Sequence, residues 1–95
     1  MGIDIFYIEV REYGYDNTVK AIRGKPIIIK YYNAAYPEFE RYCLNKTKKI
    51  VENVYNCNDY ILNPVREHGI IKYNITLHNA EIRSLTISFI HSPML

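Results

Sequence analysis

Tryptophan is absent, and the four glycines stand singly along the chain. Isolated glycines cannot supply the clustered backbone amides of a phosphate cradle. No Gly-x-Ser-x-Gly turn is present to expose a nucleophilic serine. Long apolar runs are also missing. The run Pro26-Ile27-Ile28-Ile29 is stopped by Lys30 and falls far short of a membrane span. The amino-terminal Met1-Gly2-Ile3-Asp4 carries no positive region ahead of an apolar stretch, so no secretory signal is read and the expected location is intracellular. Gly2 does not make a myristoylation site, because the sixth residue is Phe6 and not Ser or Thr. There are two cysteines. Cys43 should face a core from within a helix and Cys57 should follow it, both as free thiols acting as small hydrophobes. The sequons Asn45-Lys46-Thr47 and Asn74-Ile75-Thr76 fall mid-helix and mid-strand and are read as incidental.

Charge of one sign is scarce as well. The formal net charge is +2 with 23% charged residues, too mild to demand a nucleic-acid partner. Its placement is uneven, however. Lys20, Arg23, Lys25 and Lys30 stand against Asp16 alone between Gly14 and Lys30. The first segment is acidic instead, with Asp4, Glu9 and Glu12 against Arg11.

Tyrosine is abundant, at 10 residues, and 48% of the chain is hydrophobic, ample for one buried core. Ile, Asn, Lys and Tyr share A/T-rich codons, a composition that fits a small reading frame of a virus or mobile element. A chain of 95 residues is expected to form one domain, residues 1–95.

Alternation of Phe6, Ile8 and Val10 with Tyr7, Glu9 and Arg11 predicts a strand from Ile3 to Arg11. Gly14-Tyr15-Asp16-Asn17 predicts a turn, because Gly and Asn tolerate positive φ. A second strand is expected from Thr18 to Arg23, broken by Gly24-Lys25-Pro26. A third, from Ile27 to Tyr32, reads as the central strand because its isoleucines leave little for solvent.

A helix is expected from about Pro37 to Asn56. Pro37 suits the first turn, Glu38 and Glu40 the positive end, and Lys46, Lys48 and Lys49 come later. Tyr36, Phe39, Cys43, Leu44, Ile50, Val51 and Val54 share one arc, with Thr47 inside it. Asn56 and its neighbours suit a left-handed stop. Tyr60-Ile61-Leu62 is expected as a short edge strand, ended by a turn at Asn63-Pro64. Ile70 to Leu77 and Ile82 to Ile90 form a hairpin. Burial should set Tyr73 opposite Leu85 and Ile71 opposite Ile87, with a three- or five-residue loop, or a bulge, around His78 to Ala80. The reading is an α+β fold, one amphipathic helix on a mostly antiparallel sheet of about five strands, with three strands before the helix.

Candidate chemistry is sparse. His68, His78, His91, Cys43, Cys57 and Asp59 show no metal-ligand spacing, so neither a metal nor a cofactor is expected. Glu67 and His68, beside Arg66, are the one His–carboxylate neighbour pair. His68 as base and Arg66 as charge stabiliser would suit a small metal-independent nuclease, although a solvated loop accounts for the same residues. Tyr13, Tyr15, Lys20, Arg23, Lys25 and Lys30 form an aromatic–basic set suited to stacking bases and holding phosphates, while packing of the sheet accounts for most of the tyrosines. The expected function is a small non-enzymatic binding protein, a homodimer with a protein partner and no membrane. Nucleic-acid binding is the alternative, and the nuclease comes third.

Overall fold

The fold is seen in a computed structural model that describes residues 2–31, 36–67, 70–79 and 81–91. The elements are β1 (Gly2–Tyr13), β2 (Val19–Tyr31), α1 (Tyr36–Lys49) continued by a π-helical turn (Ile50–Val54), β3 (Tyr60–Glu67), β4 (Ile70–Leu77) and β5 (Ser84–His91). The five strands form one antiparallel sheet in the order β2-β1-β5-β4-β3. The helix covers one face of it, so the α+β class read from the sequence is the observed one.

The strand before the helix is built differently from expectation. β2 runs unbroken through Gly24, Lys25 and Pro26, paired with β1 along its length. It therefore replaces the two strands expected from Thr18 to Arg23 and from Ile27 to Tyr32, although Tyr32 itself lies outside the described residues. An edge strand needs only one side of its backbone for pairing, so a residue without an N–H is accommodated there. Gly24 lies under the ring of Tyr7, which leaves no room for a Cβ. The same logic corrects the expected turn at Pro64: β3 is the other edge, and Pro64 pairs with Tyr73 in a strand of eight residues. The central strand is β5, not the isoleucine run. Leu85, Ile87 and Phe89 are almost wholly buried there.

Hairpin geometry follows local chemistry. In the β1–β2 turn, Asn17 adopts φ 65° and its N–H donates to the Gly14 carbonyl at 3.0 Å. Asp16 accepts from the hydroxyl and amide of Thr18 at 2.7 and 3.2 Å. Between β4 and β5, Leu77 N–H donates to Arg83 O at 3.0 Å, leaving residues 78–82 as a five-residue connection. Asn79 Oδ1 accepts from the amides of Glu81 and Ile82 at 2.8 and 3.2 Å, and Ile82 packs on the core. The pairs are Tyr73 with Ile87 and Ile71 with Phe89. The buried faces match as expected, but β5 is displaced by two residues from the expected partners, because the longer of the two anticipated loops is the one used.

The core lies between helix and sheet. Phe39, Cys43, Thr47 and Val51 face Phe6 and Ile8 of β1, the odd residues of β4 and those of β5. Phe6 and Phe39 stack at 4.8 Å, and Tyr73 meets Phe89 edge-on at 6.3 Å. The helix stops where the sequence indicates: Asn56 takes φ 52°, and Cys57 N–H donates to Val51 O at 3.2 Å. Its last turn departs from the regular arc. The wider π turn rotates Val54 outward to 59% exposure, and Tyr55 turns inward in its place.

Candidate functional site: a basic groove beside the helix

Two residues of the hydrolytic reading, Arg66 and Glu67, do not share a face. Arg66 and Glu67 are consecutive in β3 and point to opposite faces. Arg66 Nη2 reaches both carboxylate oxygens of Glu40 at 2.5 Å on the helix side. Glu67 accepts from Lys72 at 3.1 Å on the open side. His68 lies outside the described residues.

The aromatic–basic set is divided as well. Tyr13 lies on the sheet face away from the helix, beside Asn74, Thr76, Ser84 and Thr86 around a shallow hollow. Tyr15 sits at the hairpin tip, where its hydroxyl donates to Asn79 O at 2.6 Å. Arg83 donates to Asn17 Oδ1 close by. Lys20 lies next to that tip, near Gly14 and Asp16. Arg23 and Lys25 instead occupy the helix side of β2, and Lys30 is described only by its backbone.

Strand alternation gives Arg23 and Lys25 their common face. Two residues apart on an unbroken strand, they point the same way as Ala21 and Ile27. Across from them, Lys46, Lys49 and Asn53 make a row at helical spacings of three and four. Between these rows lies a groove of about 460 Å³, with Val10 and Ile50 over the buried Ile8 as its floor and the exposed Val54 at its rim. Two cations come from the strand and two from the helix, so the groove is basic along both rims and apolar beneath.

Glu12 anchors one end of the groove. It is only 6% exposed, and Tyr55 donates to its Oε2 at 2.6 Å. Arg23 lies 3.4 Å from the same oxygen. Burial raises the Tyr55 phenol well above its ordinary value, and the hydrogen bond to Glu12 adds to the rise. Tyr55 is therefore a neutral donor. Lys25, Lys46 and Lys49 meet no carboxylate at ion-pair distance among the described residues.

Such a site can hold an anion, and among the described residues it presents no activated nucleophile. Burial, helped by Glu40, pushes the Cys43 thiol up to about 12, so it packs as an inert hydrophobe. Cys57 is also free and donates to Asp59 O at 3.2 Å. Among the described residues no three of His, Cys, Asp and Glu gather as metal ligands, and no helix is long and apolar enough to cross a membrane.

Lys46 and Lys49 were missed from the sequence because they read as favourable charges near a helix end. The missing signal was their position on the flank of the apolar arc, next to Ile50. No protein-family model matches this chain, and no curated protein and no solved structure is significantly similar to it.

Proposed function

We propose that this chain is a non-enzymatic binding protein that takes an acidic segment of another protein into the groove between α1 and β2. The observation that carries the proposal is the set Lys25, Lys46 and Lys49, cations with no carboxylate partner among the described residues, arranged around an apolar floor. Such an arrangement rewards a ligand that is both anionic and apolar. A free phosphate or a purely polar acidic tract would leave the floor wet. A protein from a small A/T-rich replicon, working inside a host cell on a host protein, fits this reading.

Nucleic acid is the second reading, favoured by the exposure of Lys20, Arg23 and Lys25 along one strand. It is less well supported because Tyr13 and Tyr15, the rings of the aromatic–basic set, lie away from the groove. Self-association as a homodimer belongs to the open face of the sheet, since a cationic groove repels a helix carrying Lys46, Lys48 and Lys49.

The experiment is affinity capture with the wild-type chain and with Lys25→Glu/Lys46→Glu/Lys49→Glu. A control, Lys20→Glu/Lys72→Glu, carries charge reversals outside the groove. Partners retained by wild type and control but lost from the triple variant support the reading. Identical capture by all three overturns it. Fluorescence anisotropy with single-stranded and duplex oligonucleotides decides the second reading: binding that falls steeply with salt and vanishes in the triple variant would replace the protein partner with nucleic acid.

A further inference from the structure

The helix leaves the β2 side of the sheet face uncovered along the groove. Neighbouring strands lie roughly 4.8 Å apart and a helix with its side chains is roughly 10 Å across, so one helix covers only about two to three strands. The buried contacts of α1 fall on β1, β5 and β4. On the β3 side the margin is closed by Arg66 on Glu40 and by Tyr60, whose hydroxyl donates to Glu52 at 2.8 Å. On the β2 side the inward-facing Arg23 and Lys25, with Ile8 and Val10 of β1, line open space.

We infer that this space takes an acidic amphipathic helix from a partner protein, laid beside α1 on the same sheet face. The inference rests on the reading of the groove as the binding surface and adds the form of the ligand. Three features select a helix. An added strand would need the outer edge of β2, and Pro26 interrupts the row of backbone donors there. A single nucleic-acid strand would need stacking rings, and among the described residues the one ring lining the groove, Tyr55, is held by Glu12. The pattern of the groove, an apolar strip between two cationic rims, is the complement of a helix with an apolar ridge flanked on both sides by carboxylates.

The exposed Val54 and the π turn that turns it out lie along the same groove. A π turn costs regular hydrogen bonding and is often found at working sites. Here it places an apolar side chain at the rim, where an incoming ridge would cover it. The partner signature is therefore apolar residues at i, i+3 or i+4 and i+7, with Asp or Glu on both flanks and no central cation. The α1 helix of a second copy does not match it, since Lys46, Lys48 and Lys49 fill its last turn.

The test uses the full chain and displayed libraries of 16-residue helices whose apolar ridge is randomised among aliphatic and aromatic residues. One library fixes Glu on both flanks and one fixes Lys. Enrichment from the Glu library alone is expected, with bound peptides shifting the amide resonances of Ala21, Ile27, Ile50 and Val54. Lys25→Glu/Lys49→Glu should weaken those peptides at least tenfold and admit members of the Lys library. Failure of the Glu library to enrich, or binders that perturb the open sheet face, would overturn the inference. Two further probes separate it from the reading beneath it. If selected ridges interrupted by proline, or an oligo-dT 20-mer, bind at least as well and depend on Lys25 and Lys49, the helix is wrong and the groove remains. If no probe responds to the charge reversals, both fall.

Discussion

The two flanks of one helix carry opposite charge and have opposite fates. Toward β3, the carboxylates Glu40 and Glu52 are met by Arg66 and Tyr60, and Tyr73 reaches the Glu40 carbonyl at 3.5 Å. Toward β2, Lys46 and Lys49 face Arg23 and Lys25 across apolar floor, and the carboxylate nearest among the described residues, Glu12, is engaged by Arg23 and Tyr55. Leaving like charges facing one another is unfavourable for the isolated chain, and the arrangement makes sense when an anionic ligand completes it.

The largest effect should come from the sealed region. Phe89 is 1% exposed in the central strand and meets Tyr73 edge-on. Phe89→Ala should cost about 3–5 kcal/mol in urea denaturation. Ile22→Ala, at 55% exposure on the open face of β2, should cost less than about 0.5 kcal/mol. Equal losses at the two positions would erase the distinction between a packed centre and an unsupported β2 margin.

Glu12 tests where the groove joins the core. Removing it in Glu12→Ala leaves the Tyr55 hydroxyl without its acceptor and Arg23 without its counter-ion, at a cost of about 1–3 kcal/mol. Tyr55→Phe in the Glu12→Ala background should cost little more, because the two groups act as a unit. Additive losses would show that Glu12 and Tyr55 serve separate purposes.

Alkaline titration sharpens the contrast from the sealed side. The Cys43 thiol is raised to about 12 by burial and then by Glu40, and the Tyr60 phenol to about 12 by burial and then by its bond to Glu52. A raised folded value means the protonated form is favoured in the native state. Their contribution is therefore complete below the unfolded values and is lost as pH climbs through about 12. Stability should decline between about pH 9 and 12, and the decline should be shallower in Cys43→Ala. A pH-independent midpoint over that range would contradict the burial of this flank.

The smallest effect belongs to single surface charges. Arg66→Ala removes an exposed pair with Glu40 and should cost less than about 1 kcal/mol. Lys49→Gln should leave stability unchanged or slightly raised, since it relieves repulsion within the groove. A destabilising Lys49→Gln would mean that the groove cations are structural after all.

What the sequence made legible tracks local chemistry. The helix, its apolar residues from Phe39 to Val51, and its stop at Asn56 follow from spacing and from a residue that tolerates positive φ. The alternation in β4 and β5 gave the buried face of each strand, while the two-residue displacement depended on Asn79 capping Glu81 and Ile82, a loop detail that alternation does not encode. The unity of β2 was hidden for a related reason. Gly24 and Pro26 read as breakers unless the strand is known to be an edge, and edge status is a property of the whole sheet. That one misreading also concealed the groove, because splitting β2 at Gly24 ended a strand at Arg23 and left Lys25 in the break after it. Together on one strand, they face Lys46 and Lys49.

The strand order carries a consequence for how the molecule comes into being. β5 follows every other element in the chain yet occupies the middle of the sheet, joining the β1–β2 hairpin to the β3–β4 hairpin. During synthesis the two outer hairpins exist before anything can unite them, and Phe6 must wait for its partner position at His91. Closure over that sequence distance is slow compared with hairpin formation. Until β5 emerges, the apolar faces of β1, β4 and α1 have no common core, so a nascent or truncated chain lacking these eight residues should be recognised as unfolded by chaperones and proteases.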